Sequence, residues 1–154
     1  MNDSLRNPVA LVGRILLAQL FILAGLGKIA QFAGTVAYMQ SGGLPAAAPL
    51  AVLVIALELG GGLALLSGFM TRQVAVALAL FTLAASLLFH AFWSAPAAQA
   101  MTQQLMFMKN ISVIGGLLMV AAFGPGAWSL DAARSPRRGL LGFGLPDAGV
   151  HGMT

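Results

Sequence analysis

This sequence predicts an all-α membrane protein, a four-transmembrane-helix bundle, on three observations. Hydrophobic residues make up 59% of the 154 and charged residues only 8%, and the mean hydropathy is +0.91, whereas a soluble domain is about half apolar and a quarter charged. The apolar residues gather into four runs, each near the roughly 20 residues that cross a bilayer as a helix. Turn and helix-breaking residues separate the runs. A soluble chain of this size would need far more polar surface to cover its core, so the lipid bilayer is the expected surrounding.

The first run covers residues 11–30 and is interrupted only by Arg14, Gln19 and Lys28. Read as a secretory signal it would be too long, and it continues into Lys28 without a cleavage pattern; retention as a span is expected. The second run, residues 49–69, carries Glu58 close to its middle, and the third, residues 73–93, carries His90 near its far end. The few residues between them predict an antiparallel hairpin. A fourth run, residues 105–123, has Lys109 and Asn110 in its first turns and stops at Gly124-Pro125-Gly126. Between the first and second spans, Phe32, Val36 and Met39 recur at helical spacing, which predicts a short interfacial helix. Residues 94–104, polar and alanine-rich, are expected to form a loop.

Arg6, Arg14, Arg72, Arg134, Arg137 and Arg138 all fall on one side of this topology, which by the positive-inside bias places both termini in the cytoplasm. Residues 1–131 then form the membrane domain, and residues 132–154 read as a flexible basic cytoplasmic tail held near anionic headgroups. The scattered basic residues give no nucleic-acid face. There are no cysteines, which removes disulfides, thiolate metal ligands and iron–sulfur clusters. With one histidine in the spans, bis-histidine haem and multi-histidine metal sites are not expected. The eight methionines read as apolar filler.

The polar residues within the spans each require an account, because a charge near the bilayer centre costs about 2.5–3.5 kcal/mol. From the helical rise, Lys28, His90 and Lys109 fall roughly 8–10 Å outside the midplane and Glu58 about at it. Glu58 shares a stripe with Gly61 and Gly62; Thr82, Ser86 and His90 form a second, and Lys109, Ser112 and Gly116 a third. Lys28 and Lys109 can snorkel to the interface, and His90 can belong to an aromatic belt with Phe92 and Trp93. Glu58 is too short to do either, so it must be paired with Lys28 or Lys109, protonated, or open to a polar cavity. Most of the glycines read as helix-packing residues. If these side chains form one site, two ammonium groups against one carboxylate make it net positive, suited to an anion, a quinone oxygen or a proton-transfer partner.

Gly13-Arg14, Ala24-Gly25-Leu26-Gly27-Lys28, Gly43-Leu44-Pro45, Leu57-Glu58-Leu59-Gly60-Gly61, Thr71-Arg72, Leu88-Phe89-His90-Ala91-Phe92-Trp93 and Lys109-Asn110 occur in that order. The pattern resembles the DoxX family of bacterial membrane proteins. The resemblance implies a four-helix inner-membrane fold and, for some relatives, association with thiosulfate or quinone oxidoreduction. Fold does not transfer reaction. The expectation is a quinone-linked redox accessory or membrane subunit whose candidate ligand-binding or proton-transfer residues are Lys28, Glu58, His90, Lys109 and Asn110. It would have no covalently bound cofactor and no metal, a non-covalent quinone, and a redox protein or a second copy as partner. A scaffold without chemistry of its own, or a small-solute or proton permease, is the alternative.

Overall fold

A computed structural model describes residues 3–134. It contains α1 (Asp3–Ala30), α2 (Phe32–Ser41), α3 (Ala47–Ser67), α4 (Thr71–Phe89), a 3₁₀ turn (Phe92–Ser94), α5 (Ala97–Phe123) and α6 (Leu130–Arg134). Four helices are long and apolar enough to cross a membrane, and no strand occurs among the described residues. The short interfacial segment is helical as expected, with Met39 buried. The fourth span begins eight residues earlier than the apolar run. Pro96 sits at its N-cap in an extended conformation, and Ala97, Ala98 and Ala100 are strong helix formers, so residues 97–104 are helical despite their polar side chains. α4 in turn ends at Phe89, with His90 as its C-cap. Of the tail, residues 132–134 belong to α6; its expected flexibility, with Arg137 and Arg138, falls outside the described residues.

α3 and α4 are joined by a tight antiparallel turn, but the closest packing pairs α1 with α3 and α4 with α5. Small residues permit this. An added Cβ at Gly62 would lie 3.2 Å from the Ala18 carbonyl oxygen and 3.2 Å from the Ile22 amide nitrogen, so α1 and α3 approach backbone to backbone. The two pairs meet in a core of Ala18, Leu65, Ala75, Leu78 and Leu117. That core lies toward the end of the bundle where α3 and α4 are joined. The opposite half is roofed by α2 and encloses a cavity.

The end of the bundle where α1 begins and α6 lies is closed by a clasp. Arg14 is 1% exposed and donates to the carbonyls of Leu65 and Leu66 at the C-terminus of α3 and to that of Trp128. Arg72 donates to Ala121 and Ala122 O at the end of α5, both at 2.7 Å. Asp131 accepts from the amides of Met70 and Thr71 and from the Thr71 hydroxyl at the start of α4. Cations therefore meet two C-termini and an anion meets an N-terminus, the arrangement that helix dipoles favour. Arg14 and Arg72, expected only as topological markers, are structural caps. Gly68, at φ 71°, is confined beneath Arg14 and Ser129, so both its backbone conformation and its lack of a side chain are required there.

Candidate functional site

All five residues singled out from the sequence line one cavity of about 560 Å³. α1 contributes Lys28, α3 Glu58, the end of α4 His90, and α5 Lys109 and Asn110. Convergence from four helices follows from the bundle: Lys28 and His90 lie near the ends of α1 and α4 away from the clasp, and Glu58, Lys109 and Asn110 near the middles of α3 and α5.

The cation that pairs with Glu58 is Lys28. Its Nζ is 2.8 Å from both carboxylate oxygens, with Glu58 6% and Lys28 29% exposed at the side chain. Gly25, one turn before Lys28, lets Leu59 pack against α1; a Cβ there would sit 2.7 Å from Leu59 Cγ. That proximity of α1 to α3 brings the ammonium group within reach of the carboxylate. Lys109 is exposed, lines the same cavity and has no carboxylate partner among the described residues. The site thus holds two ammonium groups against one carboxylate.

Asn110 Nδ2 donates to Ser86 Oγ at 2.9 Å, and Ser86 donates to Thr82 O at 2.6 Å. Thr82 in turn donates to Leu78 O at 2.7 Å. Both hydroxyls bond back to the preceding turn of α4, so the Thr82–Ser86 stripe spends its protons on its own helix and fixes the Asn110 amide. His90 Nδ1 donates to Gln103 Oε1 at 2.8 Å, leaving Nε2 as the ring's acceptor when neutral. Gln103 was not anticipated, since residues 94–104 read as a loop; its spacing of seven from Asn110 was the available signal. The third stripe does not hold together. Ser112 is exposed and bonds back to Met108 O at 3.1 Å, while Gly116 packs under Leu17 of α1.

The remaining wall is apolar and aromatic, with Phe21, Phe81 and Phe89. Tyr38 of α2 stacks on Phe89 with ring centroids 5.0 Å apart. Beside the His90 end, Phe92, Trp93 and Phe107 contact one another edge to face.

The DoxX family model matches residues 9–91. The chain belongs to the DoxX family. The Escherichia coli inner membrane protein YqjF is 49% identical to it over 127 residues, 82% of this chain and 92% of that protein. A second E. coli inner membrane protein, YphA, is 34% identical over 126 residues, 82% of this chain and 90% of that one. No solved structure matches. The family model covers the helices that bring Lys28, Glu58 and His90 together. Lys109 and Asn110 of this DoxX protein lie beyond it.

Proposed function

We propose that this DoxX protein is an inner-membrane, quinone-linked accessory subunit whose cavity holds the headgroup of a lipid-soluble quinone. The observation that carries this reading is the joining of polar groups from four helices on one mostly apolar cavity of about 560 Å³, a size and composition suited to a small amphipathic ligand. The donor set fits the ligand. Quinone oxygens accept hydrogen bonds, and the Lys109 ammonium and Asn110 amide are donors, the latter held in place by Ser86. Phe81 and Phe89 add aromatic wall for the apolar part of a ring. A bound quinone would supply two-electron, two-proton redox chemistry. Electrons would come from a partner protein, since the chain has no cysteine with which to hold a cluster. Its own residues bind and orient: Lys109 offsets negative charge at the ligand oxygens, and His90, held by Gln103 through Nδ1, offers Nε2 as an acceptor at the cavity wall.

The orientation belongs to the same reading. With Arg6, Arg72 and Arg134 at the clasp end, both termini are cytoplasmic and the cavity lies in the outer half of the membrane. One observation favours a scaffold instead: Lys28 and Glu58 close on each other in a bidentate pair, which locks α1 to α3 without any ligand.

Solvent extraction of detergent-purified protein tests the proposal. Quinone should co-purify, and a short-chain quinone should raise the melting temperature of the stripped protein. Lys109→Met and Asn110→Leu should each reduce both effects. A quinone-free preparation whose stability is indifferent to added quinone would overturn it.

A further inference from the structure

Not every glycine in the bundle serves packing. Gly25, Gly61, Gly62 and Gly116 lie against neighbouring helices, yet a Cβ at Gly27 or Gly34 would meet nothing within 4 Å, and both residues line the cavity. Gly27 of α1 and Gly34 of α2 share the lining with Leu20 and Leu23 of α1, which are 36% and 65% exposed, and with Lys109 of α5, which is also exposed. α1 and α5 make few contacts, among them Leu17 against Gly116 on the clasp side of the cavity. Leu20 lies ten residues before Ala30, so the rim runs roughly 15 Å along α1 from its end. An opening that deep in a spanning helix, edged by leucines, faces hydrocarbon.

The geometry points to a lateral portal between α1 and α5, kept open by Gly27 and Gly34, through which a membrane-dissolved ligand enters head first and leaves its apolar chain in the bilayer. This rests on the reading of the cavity as a ligand site and adds the ligand's form: a polar head on a single long hydrocarbon or isoprenoid chain. The chemistry of the walls follows that division. Charged and amide groups, Lys28, Glu58 and Asn110, line the interior, while the membrane-facing edge offers Leu20 and Leu23, against which a chain buries apolar surface. A water-soluble ligand would gain nothing from that edge.

The native chain has no cysteine, so Ala85→Cys, on the α4 wall of the cavity, supplies a unique reporter. In lipid nanodiscs it is exposed either to a maleimide on a hexadecyl chain, which partitions into the bilayer, or to a charged, water-soluble methanethiosulfonate. The bilayer-borne maleimide should label Ala85→Cys. Gly27→Leu or Gly34→Leu should slow that labelling about tenfold, the effect of a barrier like an overpacked side chain. Gly13→Leu, whose Cβ also meets open space but which lies outside the cavity lining, should leave the rate unchanged. Melting temperatures of all three leucine variants should be no lower than the parent's, because a Cβ at each position meets open space. Labelling by the water-soluble reagent alone, or maleimide labelling indifferent to both rim substitutions, would overturn the portal. If the portal behaves as described while no quinone co-purifies, the quinone assignment fails and the portal stands.

Discussion

The most consequential single residues of this protein form two groups at opposite ends. At the clasp, partial burial pushes the Asp131 carboxyl up. The hydrogen bonds from Thr71 and Met70, with Arg134 nearby, outweigh that and hold it below the usual aspartate range. A depressed carboxyl stabilises the fold fully above the unfolded value, about pH 3.9 for aspartate, and that stability is lost as pH falls through the lower folded value. Asp131→Asn keeps one accepting oxygen but removes the charge at the start of α4, so it should lower the neutral-pH stability by about 1 kcal/mol and flatten the acid limb of a melting-temperature profile below about pH 4. An unchanged profile would show that α6 contributes nothing to α4. At the cavity, Glu58 was legible in the sequence because a carboxylate near the middle of a span has so few ways to exist. Its partner was not. Lys28 and Lys109 are equivalent by depth, and the choice is made by the approach of Gly25 to Leu59, a contact between residues far apart in the chain. The capping role of Arg14 was hidden for a similar reason: its acceptors, Leu65, Leu66 and Trp128, come from remote segments.

At the scale of elements, the apolar runs marked all four spans, since hydrocarbon thickness fixes their length. The error at the start of α5 came from reading polarity as loop, where alanine-rich helix propensity decided the outcome. Glycine roles were only half legible, because a stripe of small residues does not say which of them meets another helix. The structure separates them, with a measurable consequence. Gly62 faces α1 backbone, whereas Gly61 meets only the Leu78 side chain, which can rearrange. Gly62→Ala should cost about 1–3 kcal/mol by forcing α1 from α3, and Gly61→Ala clearly less. Gly13→Ala, with open space at its Cβ, should be neutral or gain up to about 1 kcal/mol from helix propensity. Thermal unfolding in one detergent compares all three, and equal losses at Gly61 and Gly62 would contradict the assigned interfaces.

At the scale of the whole molecule, the clasp caps the helix ends where α1 begins and α6 lies, and the cavity lined by Lys28, His90 and Lys109 lies toward the other end. Its sidedness is open to direct labelling. Single cysteines at Ser41 and Ala98, both exposed at the cavity end, should react with an impermeant reagent applied outside intact cells, and one at Ala133 should not; the reverse pattern would invert the proposed topology. The central claim is that the polar cavity serves a ligand beyond serving the fold. Removing one partner of the Lys28–Glu58 pair strands a charge and should cost about 3–5 kcal/mol, while removing both should restore most of that stability. The deciding measurement is the quinone content of the purified Lys109→Met/Asn110→Leu double variant, whose residues are the proposed donors to the ligand, beside wild type and the Lys28→Met/Glu58→Gln variant. Quinone lost from the Lys109/Asn110 variant while its fold is kept is the predicted result, and wild-type quinone content in that variant would contradict it.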